Sequence, residues 1–100
     1  MPLISKIKFP LGKILVTPGA LSAITKCGQH PWDFLVKHMS GDWGDADGED
    51  KAANDQALTD GSRILSAYTT AKGQKLWIIT EVADDNGNRA ATTILLPEEY

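Results

Sequence analysis

The spacing of apolar positions changes character along this chain. Residues 12–17 hold Ile14, Leu15 and Val16 in one short run, which predicts a brief strand ending at Thr17-Pro18. Thr17 is a good helix N-cap and Pro18 suits the first helical position, so a first helix is expected there. Leu21, Ile24 and Cys27 mark its apolar stripe, and Gly28 ends it. A second helix is expected from Pro31. Its apolar residues Trp32, Leu35, Val36 and Met39 recur at the spacing of one buried face, and Gly41 supplies the stop. Asp33 in its first turn and Lys37 with His38 in its last suit the helix dipole. Residues 41–49 form a loop rich in glycine and acid. Ala52, Ala53, Ala57 and Leu58 then predict a weaker third helix over 50–60, closed by Gly61.

The last forty residues follow another pattern. Segments 62–70, 75–82 and 89–96 are rich in Ile, Leu, Thr, Tyr and Trp, with turn residues between them, as in an antiparallel meander. Asn86-Gly87 predicts a two-residue hairpin that sets Asp84 opposite Arg89 and Glu81 opposite Thr92. At the other hairpin two registers stand open. A three-residue loop of Ala71, Lys72 and a left-handed Gly73 places Arg63 opposite Glu81, whereas a two-residue loop places Ile64 there. The strands are apolar on both faces, so helices must cover one face, and a second protomer or the N-terminal segment is expected on the other. The expected fold is α+β: a short N-terminal strand and two or three helices packed on an antiparallel sheet made mostly by a C-terminal three-strand meander. With 100 residues and 42% hydrophobic content, residues 1–100 are expected to form a single domain.

Charge narrows the function classes. The net charge is -3, but it is unevenly placed. Residues 1–41 carry five lysines against Asp33, a balance of +4, and residues 42–60 carry seven acids against Lys51, a balance of -6. The acidic block repels a phosphate backbone, which argues against nucleic-acid binding there, and it attracts a basic patch on a protein partner. A solvated loop and helix serving only solubility is the plainer reading. There is no run long and apolar enough for a membrane span. Residues 1–17 lack the apolar block and cleavage site of a secretory leader. The lone Cys27 allows no internal disulfide, and a cytoplasmic location is expected.

Candidate chemistry concentrates in residues 38–45, where His38, Asp42, Trp43 and Asp45 are separated by glycines. No compact His pair or Cys pair is present, and the acids lack the bidentate glutamate of a calcium loop, so neither a metal nor another cofactor is expected. The plain reading of His38 is a helix-end cap. Cys27 reads as a small core residue rather than a reactive thiolate. A polar group on the sheet, Arg63, Glu81, Arg89 and Thr92 with His38 at a helix end, has the side chains for metal-free RNA cleavage. The order of helices followed by a meander resembles RelE/ParE-type toxins, although those are typically basic. Cross-strand pairing of Arg63 with Glu81 and of Arg89 with Asp84 explains the same residues without catalysis.

Thr17-Pro18-Gly19-Ala20-Leu21, His38 with Gly41-Asp42-Trp43-Gly44-Asp45, Gly61-Ser62-Arg63-Ile64-Leu65-Ser66-Ala67-Tyr68, Trp77-Ile78-Ile79-Thr80-Glu81 and Thr92-Thr93-Ile94-Leu95-Leu96-Pro97 carry a resemblance over nearly the whole chain. They resemble a family of short, uncharacterised bacterial plasmid-related and mobile-element proteins. In that pattern the Thr-Glu pair runs closely into Asp-Arg and Thr-Thr, so residues 85–88 stand here as an insertion that lengthens the hairpin. The resemblance implies a mobile-element setting. In that setting a small acidic protein would occupy a basic surface on a host defence or regulatory complex, using Asp42, Trp43, Asp45, Asp47, Glu49 and Asp50. The RNase reading, with His38, Arg63, Glu81 and Arg89, and a purely structural role are the alternatives. A homodimer that covers the open sheet face is compatible with each.

Overall fold

The computed structural model describes residues 7–100; the rest of the N-terminal segment, Met1 to Lys6, lies outside the described residues. Strand β1 (Lys13–Val16) leads through Thr17 into α1 (Pro18–Lys26), followed by α2 (Pro31–Met39) and α3 (Gly48–Asp60). Strands β2 (Ile64–Thr69), β3 (Lys75–Thr80) and β4 (Ala91–Leu95) form the meander, and a 3₁₀ turn, Pro97–Glu99, closes the chain. Among the described residues the architecture is α+β, with three α-helices on a four-stranded sheet of order β1-β4-β3-β2. The sheet is mixed, because β1 adds to the edge of the antiparallel meander as a parallel neighbour of β4.

Local chemistry explains the helix ends. Thr17 caps α1 by accepting a hydrogen bond from Ala20 N at 3.2 Å, with Pro18 at the first helical position. His30 caps α2: its Nδ1 accepts from Trp32 N at 3.0 Å, and Asp33 reaches back to His30 N at 2.9 Å. The third helix starts at Gly48 rather than at residue 50, because Asp47 is its N-cap and accepts from Asp50 N at 2.8 Å. It ends at Gly61, whose positive φ of 80° only glycine adopts freely.

Two helix faces are rotated from the expected ones. In α1 the buried residues are Ala20 and Ile24, while Leu21 is 44% exposed and Cys27 half-buried. In α2 the buried face is Phe34, Leu35, His38 and Met39, and Trp32 is 47% exposed. The face turns by about one position because Trp32, next to the helix start, has no core to enter. Phe34 instead packs against Tyr68, with ring centroids 5.9 Å apart. Burying the Phe34 edge of the helix draws His38 inward with it.

The first hairpin adopts the three-residue loop. Thr70 N donates to Gln74 O at 2.8 Å, Gly73 has φ 86°, and Ile64 pairs with Thr80, so Arg63 falls opposite Glu81. The second hairpin differs from the two-residue expectation. Asp84 N donates to Asn88 O at 2.8 Å, which makes Asp85, Asn86 and a left-handed Gly87 a three-residue loop. The register therefore shifts by one: Thr80 pairs with Thr92 and Ala83 bridges Arg89. A one-residue shift moves every side chain to the opposite face, so Thr92 points into the core. Asp84 Oδ1 stabilises the longer loop by accepting from Asn86 N and Asn88 N, both at 2.9 Å.

The core lies between the helices and one sheet face. Ala20, Ile24, Phe34, Leu35, Tyr68, Leu76, Ile78 and Ile94 form one cluster, and Phe9, Trp43, Ala46, Ala57 and Ile64 form a second. On the opposite face the C-terminal 3₁₀ turn packs against β3, and Ile79 and Leu95 are buried. Tyr100 crosses Trp77 there, with ring centroids 5.6 Å apart, and the Arg63 guanidinium lies 5.8 Å from the Tyr100 centroid.

Candidate functional site

His38 is completely enclosed. The α2 face described above projects it onto the sheet, where Nδ1 meets Ser66 Oγ and Nε2 lies 2.8 Å from Thr80 Oγ1. Thr80 Oγ1 is 2.8 Å from Thr92 Oγ1, and Thr92 donates onward to the Leu11 carbonyl at 2.7 Å. Phe9 and Trp43 meet the ring edge-on at centroid distances of 5.2 and 6.0 Å. Burial, reinforced by the nearby Arg89 charge, pushes the imidazole pKa down to about 3, so the ring is neutral at ordinary pH. His38 is thus a core hydrogen-bonding residue and not a helix-end cap. A histidine against a serine is the contact of an activated nucleophile, yet His38 and Ser66 are each 0% exposed, which closes the pair to a substrate.

Arg89 is also structural in its contacts. It is 5% exposed; Nη1 donates to the Ser62 and Glu81 carbonyls at 2.8 and 2.9 Å, and Nη2 to Ala57 at 3.1 Å. Ala57 lies near the C-terminus of α3, where the helix dipole favours a cation, and the guanidinium stands over Phe9 at 5.6 Å. Burial lowers its pKa from the ordinary value. The expected pairing with Asp84 is replaced by these carbonyls, because the register shift carries Arg89 opposite Ala83.

The remaining members of the polar group are separated. Arg63 is exposed and donates to Tyr100 Oη at 2.8 Å. Glu81 is exposed, whereas Thr92 is buried among the core groups. His38 and Thr92 therefore lie inside and Arg63 and Glu81 outside, and the set required for RNA cleavage does not converge on one accessible point.

Residues 42–50 follow the edge of the sheet. Trp43 is 4% exposed and packs beside Phe9, and its indole N–H donates to Asp55 Oδ1 at 2.9 Å. Gly44 bridges Ala67: Asp45 N donates to the Ala67 carbonyl at 2.6 Å and Ala67 N to the Trp43 carbonyl at 3.3 Å. A β-carbon on Gly44 would stand 2.1 Å from the Ala67 oxygen, so only glycine allows this approach. Tyr68 Oη donates to the Asp42 carbonyl at 2.5 Å, and burial raises the phenol above its ordinary range. Asp42, Asp45, Asp47, Glu49 and Asp50 are all exposed. The segment is thus two-sided, with Trp43 and Ala46 inward and the carboxylates outward. The capping role of His30, the burial of Asn54 and the Arg89 carbonyl clamp were not anticipated; His30-x-x-Asp33 carried a readable capping signal for the first.

Clefts formed by described residues flank these elements. One of about 490 Å³ is bounded by Lys8, Phe9, Asp60, Asp84, Asp85 and Arg89, and one of about 220 Å³ by Lys37, Asp42, Asp45, Tyr68 and Thr69. Both alternate cations with carboxylates, so neither selects one ligand charge. Among the described residues no group of three His, Cys, Asp or Glu side chains is placed to hold a metal ion, and no helix is long and apolar enough to cross a membrane. Comparisons with protein-family models, curated proteins and solved structures return no match.

Proposed function

We propose that this chain is a small acidic interaction protein that engages a basic surface on a protein partner, in the cytoplasmic, mobile-element setting that its sequence resemblance implies. The observation that carries the reading is the two-sided segment at residues 42–50: its inner side is fastened to β2 and α3, while Asp42, Asp45, Asp47, Glu49 and Asp50 face solvent. Fixed carboxylates meet a basic surface with less ordering cost than carboxylates on a loose loop. The separation of His38 and Thr92 from Arg63 and Glu81 weighs against the RNase alternative.

The test is affinity capture at low and high salt with the native chain and with a variant carrying Asp42→Asn, Asp45→Asn, Asp47→Asn, Glu49→Gln and Asp50→Asn. Asparagine also caps helices, so α3 retains its start. The expected result is one partner held at low salt, released at high salt and lost with the amide variant. Capture indifferent to both changes, or growth arrest with RNA cleavage abolished by Arg63→Ala, overturns the proposal.

A further inference from the structure

The two edges of the sheet are treated differently. At β2 the outward backbone groups of Leu65 and Ala67 are occupied: Asn54 donates to the Leu65 carbonyl at 2.6 Å and accepts from Leu65 N at 3.0 Å, while the Trp43 and Asp45 backbone pairs with Ala67. At β1 the hydrogen bonds from Lys13 N to Ala90 O and from Thr17 N to Ile94 O fix the alternation, so odd residues bond to β4. Ile14 and Val16 therefore turn their N–H and C=O groups away from the sheet, and among the described residues nothing pairs with them. Ile14 and Leu15 are each 42% exposed.

The geometry points to a second copy of this chain as the occupant of the β1 edge, paired antiparallel about a two-fold axis with Leu15 facing its own counterpart. Three features select that occupant. Occupation of the β2 edge at Leu65 and Ala67 blocks head-to-tail addition along it, so the pairing that remains is of β1 with itself, which closes at two copies. A two-fold perpendicular to the sheet keeps each face on its own side, which requires even-numbered residues to meet even-numbered ones and odd to meet odd. Centring the axis on Leu15 sets Ile14 against Val16 of the other copy. Both residues have outward N–H and C=O groups, so two donors from each chain make four hydrogen bonds. The same register places Lys13 opposite Thr17 and avoids facing lysines. On the face away from α1–α3, the row Leu65, Ile79, Thr93 and Leu15 then continues without a break into the second copy.

Because β1 has four residues the association is weak, so the test is a concentration series. Sedimentation of the full chain up to about 1 mM is expected to show mass rising from one chain to two. Amide exchange at Ile14 and Val16 slows over the same range while that at Lys13 and Leu15 stays constant. Leu15→Lys removes the second species with the far-ultraviolet spectrum unchanged. Leu15→Cys in a Cys27→Ser background oxidises to a covalent dimer, since non-hydrogen-bonded antiparallel pairs bring β-carbons close together. A one-chain mass at every concentration overturns the inference. So does a dimer with unprotected Ile14 and Val16, or one that fails to cross-link through position 15.

Discussion

His38 keeps a neutral imidazole in the core because both ring nitrogens are matched, Nδ1 by Ser66 and Nε2 by Thr80. Unfolding releases it to an ordinary pKa near 6.5, whereas the folded value is about 3. Between these values the unfolded chain binds the proton and the folded chain excludes it, so stability is complete above the unfolded value and falls as pH drops through that window. The slope approaches about 1.4 kcal/mol per pH unit within the window. Urea unfolding between pH 7 and about 4.5, above most of the carboxylate titration, should show the decline. In His38→Gln the same range should be nearly flat, at a lower starting stability. An equal slope in both proteins would assign the acid sensitivity elsewhere. The sequence exposed His38 as unusual but not as buried, because a histidine near a helix end matches the dipole rule whether it points out or in.

Helices and turns were the readable elements, for reasons confined to short stretches of chain. Thr17-Pro18, Pro31 and Gly61 act on their own backbone, and the starts of α1 and α2 and the end of α3 follow from them. Helix faces were less readable, because Trp32 and Phe34 compete for one core and only the packed structure decides between them. Asn86-Gly87 gave the turn but not its length, since Asp84 adds loop bonds that favour a third residue. The acidic candidates Asp42, Asp45, Asp47, Glu49 and Asp50 were legible as surface. Trp43 was not, because its pocket is assembled from Phe9, Ala57 and Ile64, distant in sequence. Among the elements α3 has an unexpected role, since its buried Asn54 completes the β2 edge. Asn54→Ala leaves both Leu65 backbone groups without a partner and should cost about 1–3 kcal/mol. The measurements are a chemical denaturation curve and exchange at the Leu65 amide, which should accelerate more than exchange at Ile78 in the centre of the sheet. An opened edge should also make the variant aggregate sooner on heating.

Across the whole molecule, charge and edge chemistry divide along the same line. The acidic segment and α3 lie along the β2 edge, while β1, preceded by Lys8 and carrying Lys13, forms the other. Two copies joined at β1 would therefore carry their acidic segments at the two far ends. Binding to a surface with two basic patches would then gain from effective concentration, and the gain would vanish with Leu15→Lys while single-site binding remained. Comparing affinities for a monovalent and a bivalent basic target separates these cases. The chain of contacts through Ser66, His38, Thr80, Thr92 and the Leu11 carbonyl has a different consequence. A two-residue slip of β3 would keep every side chain on its proper face, so the alternation of the strand does not forbid it. That slip would bring Ile78 or Val82 against His38 and leave the ring unmatched. The polar contacts thus index the strands as a pin indexes a lock, at some expense of stability. Replacing the set together, with His38→Leu, Ser66→Ala, Thr80→Val and Thr92→Val, should give a chain that still folds but whose β2–β4 amides show more than one resonance, as strands freed of the pin settle in more than one alignment.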